Sequence, residues 1–285
     1  MVRGCLLLMS IFVAVTVPAV VAAAAIGLRR VLGARERSSQ GDSTWSSLAI
    51  GLAYIAGQAA VARPAFPPVE VTDRIPWLAL AATVLAVAEA VWALAPWVRL
   101  FGRSLLSTLS LGLMLGPVVS ADDLSRPLLG WLTVTAVLAI LAWLNLWALE
   151  RVGRGTDAFR GLIVTSSGAT LVLLFSGSAA LCLLGVALTV SMAVGRLAAW
   201  DRAPVSGLVA GSTVLTALVL EGYIYASMSP WSALLLAAAL AGTWITRMEP
   251  LRGKQGISAT VSGTIAVLVP VGLAVGWAAA SSPFE

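Results

Sequence analysis

Two carboxylates interrupt long apolar runs in this chain: Glu89 within LAVAEAVWALAPW, residues 85–97, and Glu221 at the head of EGYIYASMSPW, residues 221–231. An ionised acid at the centre of a bilayer costs about 2.5–3.5 kcal/mol on insertion scales. Such a group is therefore expected to face a bundle interior or a wet cavity, where it can also hold a proton. For Glu89 the alternatives are a titrating group in a cavity and a protonated, hydrogen-bonded acid that joins helices. Glu221 falls about four residues from the end of its run, where headgroups and water are in reach, and shares a helical stripe with Thr213 and Tyr225. Thr165, Ser166, Ser167, Gly168 and Thr170 cluster near the middle of another run. They can line a pathway, or satisfy their hydroxyls on their own helix and serve packing. Asn145 and Gln58 read by default as interhelical hydrogen-bonding groups.

Most catalytic chemistry lacks its parts. The sequence has no histidine, which removes Ser-His catalysis, HExxH zinc sites and histidine-ligated haem. Neither a GxSxG elbow nor a phosphate-cradling Walker loop occurs. Cys5 and Cys182 both lie inside apolar runs, so no disulfide framework and no CxxC site is available. Asp122-Asp123 has the charge to hold a divalent ion, but adjacent acids in a loop read as solvated charge. The expectation is a protein that is not an enzyme, with no cofactor and no metal.

These residues are positioned by elements of one kind. Of 285 residues, 59% are hydrophobic and 11% charged, against roughly 25% charged in soluble domains. Apolar runs near the bilayer-spanning length of about 20 residues recur along the chain and leave no room for a soluble domain. The fold class expected is all-α, a polytopic integral membrane bundle of about ten helices in a single domain over 1–285. The spans read 5–28, 45–62, 75–98, 104–120, 127–149, 161–176, 178–195, 204–225, 230–246 and 257–280. The stretch 161–199 is too long for one crossing and is folded back at Ser176-Gly177-Ser178. The first run is longer than a signal-peptide core and is followed by RRVLGARER, so it is expected to remain as a helix.

The net charge of +5 does not point to nucleic acid, because the basic residues come in small groups between apolar runs. Loops 29–44, 99–103, 150–160, 196–203 and 247–256 hold fourteen of the eighteen Lys and Arg; the alternate loops and ends hold only Arg3, Arg63, Arg74 and Arg126. Short cytoplasmic loops retain positive charge. The alternation places both termini outside a bacterial-type plasma membrane, the bacterial source being read from arginine-, alanine- and glycine-rich usage. Nine of eleven tryptophans fall near span ends, as interface anchors do, with Trp92 and Trp143 deeper.

Ten spans divide into halves 1–152 and 153–285. An odd number per half inserts the halves with opposite orientation, the arithmetic of many secondary transporters. Spans three and eight then correspond, and each carries a glutamate followed by an aromatic residue and Pro-Trp. Spans four and nine are both expected to be short, at about 17 residues. GxxxG pairs at Gly112/Gly116, Gly207/Gly211 and Gly272/Gly276 signal close helix packing. The five-plus-five layout resembles that of drug/metabolite-type transporters as architecture alone, and those carriers commonly keep both ends in the cytoplasm, opposite to this threading. The leading expectation is a carrier or channel-like protein for a small solute, linked to protons. Glu89 would titrate in a central cavity, with Glu221, Tyr225, Asn145, Thr165, Ser166 and Ser167 along the route. The competing expectation is a membrane scaffold or complex subunit; a third is a membrane enzyme acting on lipid through convergent carboxylates.

Overall fold

The computed structural model describes residues 2–32, 39–62, 66, 68, 70–92, 94–120, 133–138, 140–141, 144–145, 155–198, 205–245 and 257–282. Apart from turns and short connections these residues are helical, with no strand among them. The helices are α1 Val2–Leu32, α2 Ser39–Ala62, α3 Ile75–Val91, α4 Pro96–Ser120, α6 Gly155–Phe175, α7 Ala179–Ala198, α8 Val205–Tyr225, α9 Pro230–Ile245 and α10 Ile257–Ala280. Helical residues at 133–138, 140–141 and 144–145 are grouped as α5. Eight of these helices are long and apolar enough to cross a membrane, and Pro230–Gly242 forms a shorter apolar helix. Large apolar side chains face outward along them, among them Phe12, Val84, Leu105, Leu171, Leu268 and Leu273. Serines, threonines and an ion pair lie within. Such an inside-out distribution suits hydrocarbon as solvent, and the chain is a helical membrane bundle.

The helices are not equivalent. In α8, 89% of the apolar window is buried, against 17% in α1, so α8 is the hub of the bundle. It packs against α2, α3, α4, α6, α7 and α9. Close approaches are made at glycine. A Cβ at Gly211 would stand 2.7 Å from Met192 Cε, one at Gly57 would stand 2.6 Å from Pro18 Cγ, and one at Gly242 would stand 2.6 Å from the Ala266 carbonyl oxygen. Pro270, four residues on from Ala266, has no N–H to offer that carbonyl. Of the glycines in the three GxxxG pairs, Gly207 and Gly211 make close contacts, whereas Gly112, Gly272 and Gly276 have nothing within 4 Å.

The fold-back within 161–199 occurs where expected. Helix α6 ends at Phe175, Gly177 adopts φ +82°, and α7 starts at Ala179. Gly177 N–H donates to Leu174 O at 3.0 Å and Ser178 N–H to Leu173 O at 3.2 Å. These two bonds are the Schellman pattern, which closes a helix when glycine takes the left-handed conformation.

The third span differs from expectation. Its helix stops at Val91, and α4 begins at Pro96. Proline disfavours helical backbone at the residue before it and is well suited to open a helix, so the turn falls at 92–95 and not at 99–103. Three consequences follow. Glu89 lies two residues from the end of α3, away from the central position expected of it. Arg99 and Arg103 enter α4. Trp92, 70% exposed, sits at a helix end like the other anchors. Helix α4 is also 25 residues long, not short, whereas α9 has 16. Asp122-Asp123, Trp131, Trp143, Trp147, Trp200 and many of the tallied loop cations lie outside the described residues.

Candidate functional site

Two groups of buried polar side chains lie toward opposite ends of α8, one against α3 and α4 and the other against α2. At the first, Arg103 on α4 reaches across to Glu89 on α3. Its Nε donates to Oε1 at 2.9 Å and its Nη2 to Oε2 at 2.6 Å. The side chains are 3% and 4% exposed, so this is a desolvated, two-pronged pair. Ala86, one turn before Glu89, packs on Val209 of α8, and Leu106, one turn after Arg103, clusters with Ala82 and Ala210. The pair is thus clamped where α3, α4 and the first half of α8 meet. A planar guanidinium suits this geometry better than an ammonium would.

At the second place, Tyr54 and Gln58 stand one turn apart on α2 and Glu221 lies near the end of α8; they are 1%, 0% and 2% exposed. Tyr54 Oη, Gln58 Oε1 and Glu221 Oε2 are buried without a hydrogen-bond partner. Among the described residues only Ser46 Oγ, far along α2, shares that condition. Gln58 does use its other atom: Nε2 donates to Thr72 O at 2.9 Å, tying α2 to the 70–74 turn. That turn is itself closed, with Glu70 N–H donating to Asp73 Oδ2 at 3.0 Å. Asp73 and Glu70 are in electrostatic range of Glu221, and Glu221 is in range of Tyr54.

A rim surrounds these groups. Arg74 Nη1 donates to Leu113 O at 2.7 Å and Tyr225 Oη to Met114 O at 3.0 Å. Leu113 precedes Pro117 by four residues, so its carbonyl lacks the usual helical donor four residues on, and the arginine takes that acceptor. Helix α8 closes irregularly beside Glu221. Ser227 takes φ +55°, and Met228 N–H donates to Gly222 O at 3.0 Å. The absence of a side chain on Gly222 leaves room for Met228, which is fully buried.

The other residues singled out by sequence stand apart from both places. Thr165, Ser167 and Thr170 donate to the carbonyls of Gly161, Ile163 and Ser166 on their own helix. Ser166 donates to Ile163 O at 3.0 Å and accepts from Thr189 of α7 at 3.0 Å. Asn145 Nδ2 donates to Ala237 O at 3.2 Å. With Thr216 it supplies the polar lining of an otherwise apolar crevice between α5, α8 and α9 formed by Leu138, Leu215, Val219, Leu236 and Leu240. Tyr54 and Arg103 are not foreseen from sequence. Tyr54 carries a readable sign, since it stands one turn before Gln58 inside a span. Arg103 does not, because it reads as one more loop cation.

No protein-family model, curated protein or solved structure matches the chain.

Proposed function

We propose that this helical membrane bundle moves a small solute across a bacterial-type plasma membrane, with the solute held at Tyr54, Gln58 and Glu221. The carrying observation is three buried, unpartnered oxygens around the most buried helix of the bundle. Buried polar groups almost always find partners, and intramembrane ionisable groups commonly mark substrate or ion pathways. Two inverted halves fit the same reading. Each half has a glutamate two or four residues before a helix end, a four-residue connection, and Pro-Trp opening the next helix: Glu89, 92–95, Pro96-Trp97 and Glu221, 226–229, Pro230-Trp231. The corresponding helices α3 and α8 pack together, as do α2 and α7. With both termini outside, the Glu89–Arg103 pair closes the cytoplasmic end and the Glu221 group lies toward the outside.

A scaffold or complex subunit is the second reading, favoured by the saturated Glu89–Arg103 pair and the back-bonded hydroxyls. Solute-evoked currents or isotope uptake in proteoliposomes separate the two. The transporter reading expects flux of at least one small solute, reduced at least tenfold by Glu221→Gln at an unchanged melting midpoint. A protein that moves nothing across a broad panel, and purifies with a stoichiometric partner, is a scaffold.

A further inference from the structure

The geometry points to a monovalent cation as the ligand of the Tyr54, Gln58 and Glu221 oxygens, an inference that rests on the transporter reading and gives its site a chemical class. The free valences there are almost all acceptors. The amide nitrogen of Gln58 is already engaged at Thr72 O, which leaves its carbonyl oxygen bare. An ionised Glu221 can only accept, and the Tyr54 hydroxyl can accept as well as donate. A ligand that satisfies all three must bring positive charge or several N–H or O–H donors, and the charges nearby favour the first. The surroundings add negative field, since Asp73 and Glu70 are the charged groups in range of Glu221, while Arg74 is committed to Leu113 O.

Charge count sets the valence. Among the described residues no three acidic or cysteine side chains come close enough to hold a metal ion, and Glu221 is the one carboxylate with a bare buried oxygen. Glu221 is the one carboxylate with an oxygen free to touch the ion, while Asp73 and Glu70 accept hydrogen bonds within their own turn and act on the site at longer range, so the contact shell suits a single positive charge better than two. An alkali-metal ion and a small ammonium share this chemistry, both being held by oxygens.

The test uses the full-length protein purified in detergent. Its thermal midpoint is followed at constant ionic strength as sodium chloride or methylammonium chloride replaces N-methylglucamine chloride, whose cation is too bulky to be buried. A ligand that binds the folded form raises the midpoint with saturable dependence on concentration. The expected result is such a rise for one small cation, with sodium selectivity naming an alkali-metal site and methylammonium selectivity an ammonium site. Half-saturation should move at least tenfold in Glu221→Gln and threefold or more in Tyr54→Phe, which keeps the ring and serves if the first variant does not fold. No rise for either cation overturns the inference, as does an equal rise in Tyr54→Phe or Glu221→Gln. Binding without flux retains the cation site and defeats the transporter reading; flux with no cation-dependent midpoint does the reverse.

Discussion

Glu89 gives both carboxylate oxygens to Arg103, whereas Glu221 leaves Oε2 bare in an equally dry setting. The difference lies in what the following helix supplies. Seven residues past Pro96 stands Arg103; seven past Pro230 stands Ala237. Removing one partner of a buried pair strands the other, at a cost of about 3–5 kcal/mol, whereas an apolar pair of similar volume is often neutral. Glu89→Gln and Arg103→Met are each expected to lower folding stability by that amount, and the double Met variant at 89 and 103 to recover most of it. Steric-trapping measurements of unfolding in bicelles check this. Of the residues concerned, the acids were legible as lone charges in apolar runs. Arg103, the partner of Glu89, was not, because a contact fourteen residues along the chain depends on a turn whose position Pro96 decides.

Elements show where periodicity suffices and where it fails. The 176–178 reversal is written in Ser-Gly-Ser, since only a left-handed residue lets the chain leave α6 and enter α7 within three positions. The end of α8 has no glycine at the left-handed position, and Ser227 takes it instead. Left-handed backbone costs an L residue about 1 kcal/mol, so Ser227→Gly is expected to stabilise the protein by about that much, read as a raised thermal midpoint in detergent. Gly242→Ala should do the opposite. Its new methyl would meet the Ala266 carbonyl oxygen at 2.6 Å, and backbone cannot swing aside as a flexible side chain can. A loss of about 1–3 kcal/mol is expected, with lower folded yield by size-exclusion chromatography. GxxxG spacing does not tell the packed Gly207 and Gly211 from the open Gly112, Gly272 and Gly276, because spacing does not reveal which helix face meets protein and which meets lipid.

At the scale of the whole molecule, composition alone conveys the membrane class, and the apolar exterior agrees with it. Order of burial was not legible: α1 and α8 each contain an apolar window long enough to span, yet one is peripheral and the other central. On the proposed threading an epitope at the tail is expected to be reached by antibody on intact spheroplasts without permeabilisation. Tail exposure only after permeabilisation would invert the map.

Transport through this bundle requires that the buried core beside Glu221 be reachable from one side at a time, with the Glu89–Arg103 pair closing the other. Ala217, one turn before Glu221 and fully buried, reports on this when replaced by cysteine in a chain whose Cys5 and Cys182 are changed to Ser. Membrane-impermeant thiol reagent, applied to right-side-out and inverted vesicles, should label it from the outer face alone while Glu89 and Arg103 are intact, and from the cytoplasmic face when both are truncated to Ala, which removes the pair and its volume. A cysteine that is labelled from neither side in either background would mean a sealed bundle with no passage through its core, and would rule out transport by this route.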